Sequence, residues 1–235
     1  MMIDILHACD IMEDVAIAYG YNNLKQSPAP TNTVGQQQPL NLLSDLVRRE
    51  LAQAGCTEFL NFALCSHAEN FANLRKADDG QSAVVLANPK TIEFQVVRTS
   101  LLPGLLKSLS NNRDMPLPIR VFEVSDVVVK DASRDVGASN RRQLCAVYCA
   151  ASAAFEAVHG LLDHLMRMLR IPAGEKEGYI IKESAHPTYF DGRCAEILYK
   201  GKKVGVLGVL HPEVLKAFDL TNPCTALELD IEPFL

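Results

Sequence analysis

The hydrophobic pattern is densest between Pro118 and Lys130, PIRVFEVSDVVVK, where eight of thirteen residues are apolar. The run is rich in Val and bounded by Pro118 and by Asp131-Ala132-Ser133, which predicts a long buried strand. Its polar exceptions are Arg120, Glu123, Ser125 and Asp126. Arg120, at the strand's entry, suits either a surface end or a charge aimed into a cleft. Glu123 lies inside the apolar run, where a carboxylate needs a partner or water. An antiparallel strand with one wet face gives the same pattern.

Helical spacing predicts a first helix over 8–19, with Ile11, Val15 and Ala18 on one stripe and Gly20 as its stop. A second runs from about Pro39 to Ala54 on Leu42, Leu43, Leu46, Val47 and Leu51, stopped by Gly55. Ser66 to Leu74 carries a capping-box pattern, Ser66 followed by Glu69. Thr99 or Ser100 caps a helix to Asn111, with Pro103 in its first turn. Ala153 to Leu169 is amphipathic, and Pro212 to Phe218 forms a short helix. Strands are expected at Thr57–Leu64, Ala83–Ala87, Gln143–Ala150, Tyr179–Lys182, Gly192–Tyr199, Val204–Leu210 and Ala226–Ile231. Asp131 to Arg142 reads as a hydrophilic loop, and Lys200-Gly201-Lys202 as a hairpin turn. Hairpins imply an antiparallel α+β domain, since parallel strands need longer crossovers.

Residues 22–38 hold Asn22-Asn23, Pro28, Pro30 and three consecutive glutamines, Gln36 to Gln38, with few apolar anchors. They predict a linker between a short segment, 1–21, and a domain over 39–235. The abrupt start at Met1-Met2-Ile3-Asp4 suggests a fragment of a longer protein.

Composition narrows the function. The chain has 235 residues, 48% hydrophobic and 22% charged, with a net charge of -5. That acidic balance argues against an autonomous nucleic-acid binder. No run reaches the roughly 18 apolar residues of a membrane helix, and no leader resembles a signal peptide. Seven scattered cysteines without a CxxC pair read as reduced, buried small hydrophobes of a cytosolic protein.

Asp10, Glu13 and Asp14 stand at i, i+3 and i+4 near the first helix start, with Asp4 six residues before them. An oxygen-only, multiply charged set suits a hard cation such as Mg2+. Acids also favour the positive end of a helix dipole, where one of them caps it. No GxGxxG, GxxxxGK[ST], GxSxG or HExxH occurs. His159 and His164 are badly spaced for joint ligation, while His186-Pro187 and His211-Pro212 mark boundaries where a histidine bonds local backbone. Lys200, Lys202 and Lys203 form a small basic turn, and Arg134 with Arg141-Arg142 gives a weak RNA-backbone signal.

Five segments carry a resemblance: DILHACDIMEDVAIAYGYNN, NPKTIEFQVVRTSLLPGLL, IRVFEVSDVVV, HPTYFDGRCAEI and GKKVGVLGVLHPEVL. In this order, along nearly the whole chain, they resemble the β subunits of phenylalanyl-tRNA synthetases of the archaeal and eukaryotic cytosolic type. The resemblance covers the C-terminal part of such a subunit: the end of a small acidic domain, then a catalytic-like module. It implies a class II synthetase-like fold, an antiparallel sheet flanked by helices. It implies a cytoplasmic (αβ)2 heterotetramer in which the α subunit activates phenylalanine with ATP and charges tRNA(Phe), while the β module is a degenerate copy. It implies that Asp4, Asp10, Glu13 and Asp14 are the family's Mg2+ ligands.

A working class II site needs an arginine and an acid on its second-motif strand and a further arginine in a Gly-rich third motif, all meeting ATP. Here Arg120 and Glu123 are offset by one position from that RxE pattern, and no arginine occurs from Gly205 to the end. The expected role is a non-catalytic subunit module, with no catalytic residue assigned. The competing expectations are a self-sufficient adenylate-forming enzyme built on Arg120 and Glu123, and a generic acidic interaction domain. The helices at 39–54 and 101–111 are the expected contributors to a subunit interface.

Overall fold

A computed structural model describes residues 5–235, so Asp4 lies outside the described residues. The chain forms two units, Met1–Gln37 and Gln38–Leu235. In the first, α1 (Ala8–Tyr19) is capped by His7, whose ring accepts the Cys9 N–H at 3.2 Å. Asp10 closes the cap, its Oδ2 accepting the N–H groups of Leu6 and His7 at 2.9 and 2.8 Å. The α1 stripe stays outward, with Ile11 53% and Val15 61% exposed. From Leu24 to Gln38 the chain has no helix or strand.

The second unit begins with α2 (Pro39–Gln53), β1 (Thr57–Glu58), β2 (Leu64–Cys65), α3 (His67–Asn70), β3 (Val96–Val97) and α4 (Leu102–Asn111). The long strands β4 (Ile119–Lys130) and β5 (Ala138–Cys149) follow, then α5 (Phe155–Met168). After them come β6 (Tyr179–Glu183), β7 (Tyr189–Tyr199), β8 (Lys202–Leu210), α6 (Pro212–Ala217) and β9 (Cys224–Asp230). Seven strands make one sheet in the order β1-β4-β5-β9-β8-β7-β6. Six of them pair antiparallel along the sheet, and β1 adds parallel to β4, Thr57 opposite Val121. The architecture is α+β, with a mixed sheet rather than the purely antiparallel one expected. The stretch from Phe59 to Pro118, which carries α3 and α4, is long enough to supply the crossover that a parallel pair demands.

Strand alternation splits the core in two. On one face Val121, Val147, Cys145, Ala226 and Val206 meet α4 and α6 through Leu102, Leu105, Leu106, Leu109, Val214 and Leu215. On the other, Phe122, Val124, Leu144, Leu227 and Ile197 meet α2 and α5 through Val47, Leu51, Val158, Leu162 and Met166. This changes the interface expectation. The apolar face of α4 is wholly inside the core, whereas α2 still presents Leu42 and Leu46, each 47% exposed.

Ser66 and Glu69 form the anticipated capping box, and Lys200 and Gly201 make a two-residue turn at φ 49° and 75° between paired Tyr199 and Lys202. Boundaries fail in three places. The expected strand Thr57–Leu64 survives only as β1 and the start of β2, and Ala83–Ala87 reduces to a bridge from Val85 to Val96. The last part of the loop expected over Asp131–Arg142 is already β5, whose polar residues Ser139, Asn140 and Arg141 pair with Val129, Val128 and Val127. The cysteines are all free thiols, five buried, Cys56 half-buried and Cys9 exposed.

Candidate functional site

Two places carry chemistry anticipated from sequence. On α1, Glu13 and Asp14 are exposed and make no hydrogen bond with any described residue, whereas Asp10 is held by the cap. The two backbone N–H groups, His7 first, hold its carboxyl below the usual range. The donors are hard oxygens, as Mg2+ requires, yet among the described residues no three His, Cys, Asp or Glu side chains gather around one point. Its described members, Asp10, Glu13 and Asp14, therefore fit the ion in donor type without by themselves forming a closed cage.

The second place is β4. Arg120 and Glu123 are three residues apart, so strand alternation sends them to opposite faces of the sheet. Arg120 lies 5.1 Å from the ring centroid of Tyr148, its cross-strand partner, as a cation over an aromatic face. Glu123 is 1% exposed on the opposite face. Its Oε1 accepts a 2.7 Å bond from Arg98, itself 4% exposed, and its Oε2 accepts from Asn61 at 2.7 Å. The two residues of the adenylate-forming alternative thus never face one ligand.

Arg98 is a residue whose role the sequence pattern did not show. Its guanidinium also donates to the Asp126 carbonyl at 3.1 Å, and its backbone bonds Ala63 and Val128. It therefore clamps the irregular segment after β1 onto β4. The rest of RTSLLPGLL works similarly. Thr99 is held by Asn70 Oδ1, and Ser100 Oγ accepts the Leu102 N–H at 3.0 Å while donating to Glu228 at 2.5 Å. The cap position of α4 is Leu101 rather than the expected Thr99 or Ser100, and Ser100 acts on the helix start from one residue further back. At Gly104 a methyl group would lie 2.9 Å from Asn61 Cβ, so the glycine lets that loop seat on α4. The segment that carries much of the resemblance is a structural clasp.

The Glu228 carboxylate, the only acid on the strongly apolar β9 between Cys224 and Leu229, was not singled out by its pattern. It accepts Tyr189 O–H at 2.8 Å as well as Ser100. Burial first, then the Glu228 charge, pushes the Tyr189 phenol well above its ordinary range, so it stays a donor. His186 and His211 bond local backbone as expected, accepting the N–H groups of Thr188 and Glu213. Arg142 binds Asp126 at 2.5 Å and Ser44 at 2.8 Å, which removes it from the weak RNA-facing set.

Comparison with known proteins follows the same lines. Residues 25–231 match the family domain described as "Phenylalanyl tRNA synthetase beta chain CLM domain". The chain is 54% identical over 233 residues to the human phenylalanine–tRNA ligase beta subunit, and 56% identical over 234 residues to that of Caenorhabditis elegans. It is 48% identical over 244 residues to the Arabidopsis thaliana protein named phenylalanine–tRNA ligase beta subunit, cytoplasmic. Each alignment covers 99% of this chain and 40% of the relative, so the chain spans well under half the length of these proteins. Among the described residues no helix is long and apolar enough to cross a membrane. With a family domain over most of its length and relatives this similar from end to end, the chain belongs to the phenylalanyl-tRNA synthetase β-subunit family.

Proposed function

We propose that this chain is a non-catalytic module of a cytoplasmic phenylalanine–tRNA ligase β subunit, with a class II-like scaffold that supports an α subunit where phenylalanine is activated and joined to tRNA(Phe). The observation that carries this reading is the state of β4. The acid comparable to a second-motif acid is closed inside an ion pair with Arg98, and Arg120 leaves on the other face. No arginine follows Gly205, so no guanidinium from that stretch meets a triphosphate. The name of the Arabidopsis relative supports the compartment.

The partner is an α subunit in an (αβ)2 assembly, and Leu42 and Leu46 of α2 are available to such an interface. Asp4, Asp10, Glu13 and Asp14 are the residues that would hold Mg2+ in the intact protein, supported by family membership and by the free carboxylates of Glu13 and Asp14. Bound there, the ion would neutralise a local excess of negative charge on α1.

Co-expression with the α subunit tests the assembly. A stable complex of both chains is expected by light scattering, carrying magnesium that is lost from the Glu13→Gln/Asp14→Asn variant. Failure of the two chains to associate at micromolar concentration would favour the generic interaction domain.

A further inference from the structure

One polar cleft, on the α4 face of the sheet, has no part in the role proposed above. Its volume is about 200 Å³. Glu228 forms part of its wall, with both carboxylate oxygens already satisfied by Ser100 and Tyr189. Around it stand Lys76, Gln143, His186, Lys203 and Asp230.

What distinguishes this cleft is which of its groups remain free. Lys203 is shared with Glu196 at 3.5 Å. His186 has its ring directed to the Thr188 N–H and is kept below its ordinary pKa, by burial first and by Lys76 second, so it is neutral at pH 7. Lys76, by contrast, is half-buried with no hydrogen bond or ion pair from its side chain to any described residue. The Gln143 amide likewise has no partner among the described residues. Asp230 stands directly across from Gln143 and accepts one bond, from the Glu232 N–H at 3.1 Å through Oδ1. Burial pushes its carboxyl up; the Arg141 charge acts against that shift, yet no cation among the described residues makes an ion pair with it.

A half-buried ammonium without an anion, and a half-buried carboxylate without a cation, line the same small space. A ligand that answers both carries one charge of each sign. A nucleotide is excluded twice: two carboxylates border the cleft, and a volume of 200 Å³ falls below the roughly 300–1,000 Å³ of pockets for larger ligands. A plain carboxylate would leave Asp230 unanswered, and a plain amine would leave Lys76. We propose that this cleft binds a small free α-amino acid as its zwitterion, the carboxylate toward Lys76 and the Gln143 amide, the ammonium toward Asp230. The cleft walls offer no aromatic ring besides that of His186, and the volume is small, which favours small or polar side chains over phenylalanine.

The test is thermal-shift and calorimetric titration of the chain with each common free L-amino acid, alongside acetate and methylamine as single-charge probes. A subset of small or polar amino acids is expected to bind and to raise the melting temperature, because a ligand selective for the folded state stabilises it. Lys76→Met and Gln143→Met should each leave the unliganded melting temperature unchanged. The first should weaken binding about tenfold or more, as loss of a charge-assisted contact does. Absence of binding by every amino acid would overturn the proposal. So would binding that survives both variants, or acetate and methylamine each binding as tightly as an amino acid. Phenylalanine-dependent ATP turnover by the chain would instead strike at the proposed subunit role and leave this cleft to be judged on its own titration.

Discussion

Replacing Arg98 with methionine should lower the stability of the Gln38–Leu235 unit by about 3–5 kcal/mol, the usual cost of leaving one partner of a buried ion pair alone. Glu123 would remain 1% exposed with only the Asn61 amide to meet its charge. The loss should show as a fall in the denaturant midpoint with little change in slope, and as a drop of roughly 10 °C in Tm. The double variant Arg98→Met/Glu123→Leu removes both charges and should recover most of that loss. Equal loss in single and double variants would mean that Arg98 acts through its bonds to the Asp126 and Asn61 carbonyls rather than through the pair.

The same alanine substitution should have opposite signs at two glycines. At Gly205, on β8, a methyl group would lie 2.3 Å from the Glu228 carbonyl oxygen and 3.2 Å from Ile197 Cδ1. A backbone atom in a central strand cannot step aside as a flexible side chain does, so overpacking of about 1–3 kcal/mol is expected. At Gly160, inside α5, nothing lies within 4 Å of the added carbon. Gly160→Ala should therefore stabilise by up to about 1 kcal/mol through helix propensity. Urea titrations of the two variants beside the parent chain check both signs. A neutral Gly205→Ala would show that the β8–β9 spacing yields more readily than the register implies.

How far this was legible follows from the range of each interaction. Helix α1, α2 and the Ser66–Glu69 box are written in spacings of three and four residues, and the pattern finds them. The Lys200-Gly201 turn is as local. The segment after β1 is different. NFAL is apolar enough to read as a strand, but Asn61 and the carbonyls of Asn61 and Phe62 are committed to Glu123 and Arg98, partners distant in sequence. A pattern cannot see a guanidinium arriving from elsewhere. Ser139, Asn140 and Arg141 look like loop residues because polarity reports contact with water, and the outer end of a hairpin is both wet and fully paired.

The candidate site divides along the same line. The carboxylates of α1 are visible because helical spacing alone places them together, whereas His7 as the N-cap, with Asp10 closing the box from the first turn, was not legible in the pattern of acids. That Glu123 needs a partner was evident from its apolar neighbours, while the identity of that partner was not. The opposed directions of Arg120 and Glu123 follow from counting positions along a strand, once the strand itself is secure. The cleft beside Glu228 draws on β5, β8, β9 and three loops, and no window of sequence contains it.

Pyrophosphate exchange decides the central question. With phenylalanine, ATP and Mg2+, the isolated chain is expected to give only background exchange, and exchange is expected to appear when the α subunit is added. Phenylalanine-dependent exchange by this chain alone would contradict the account.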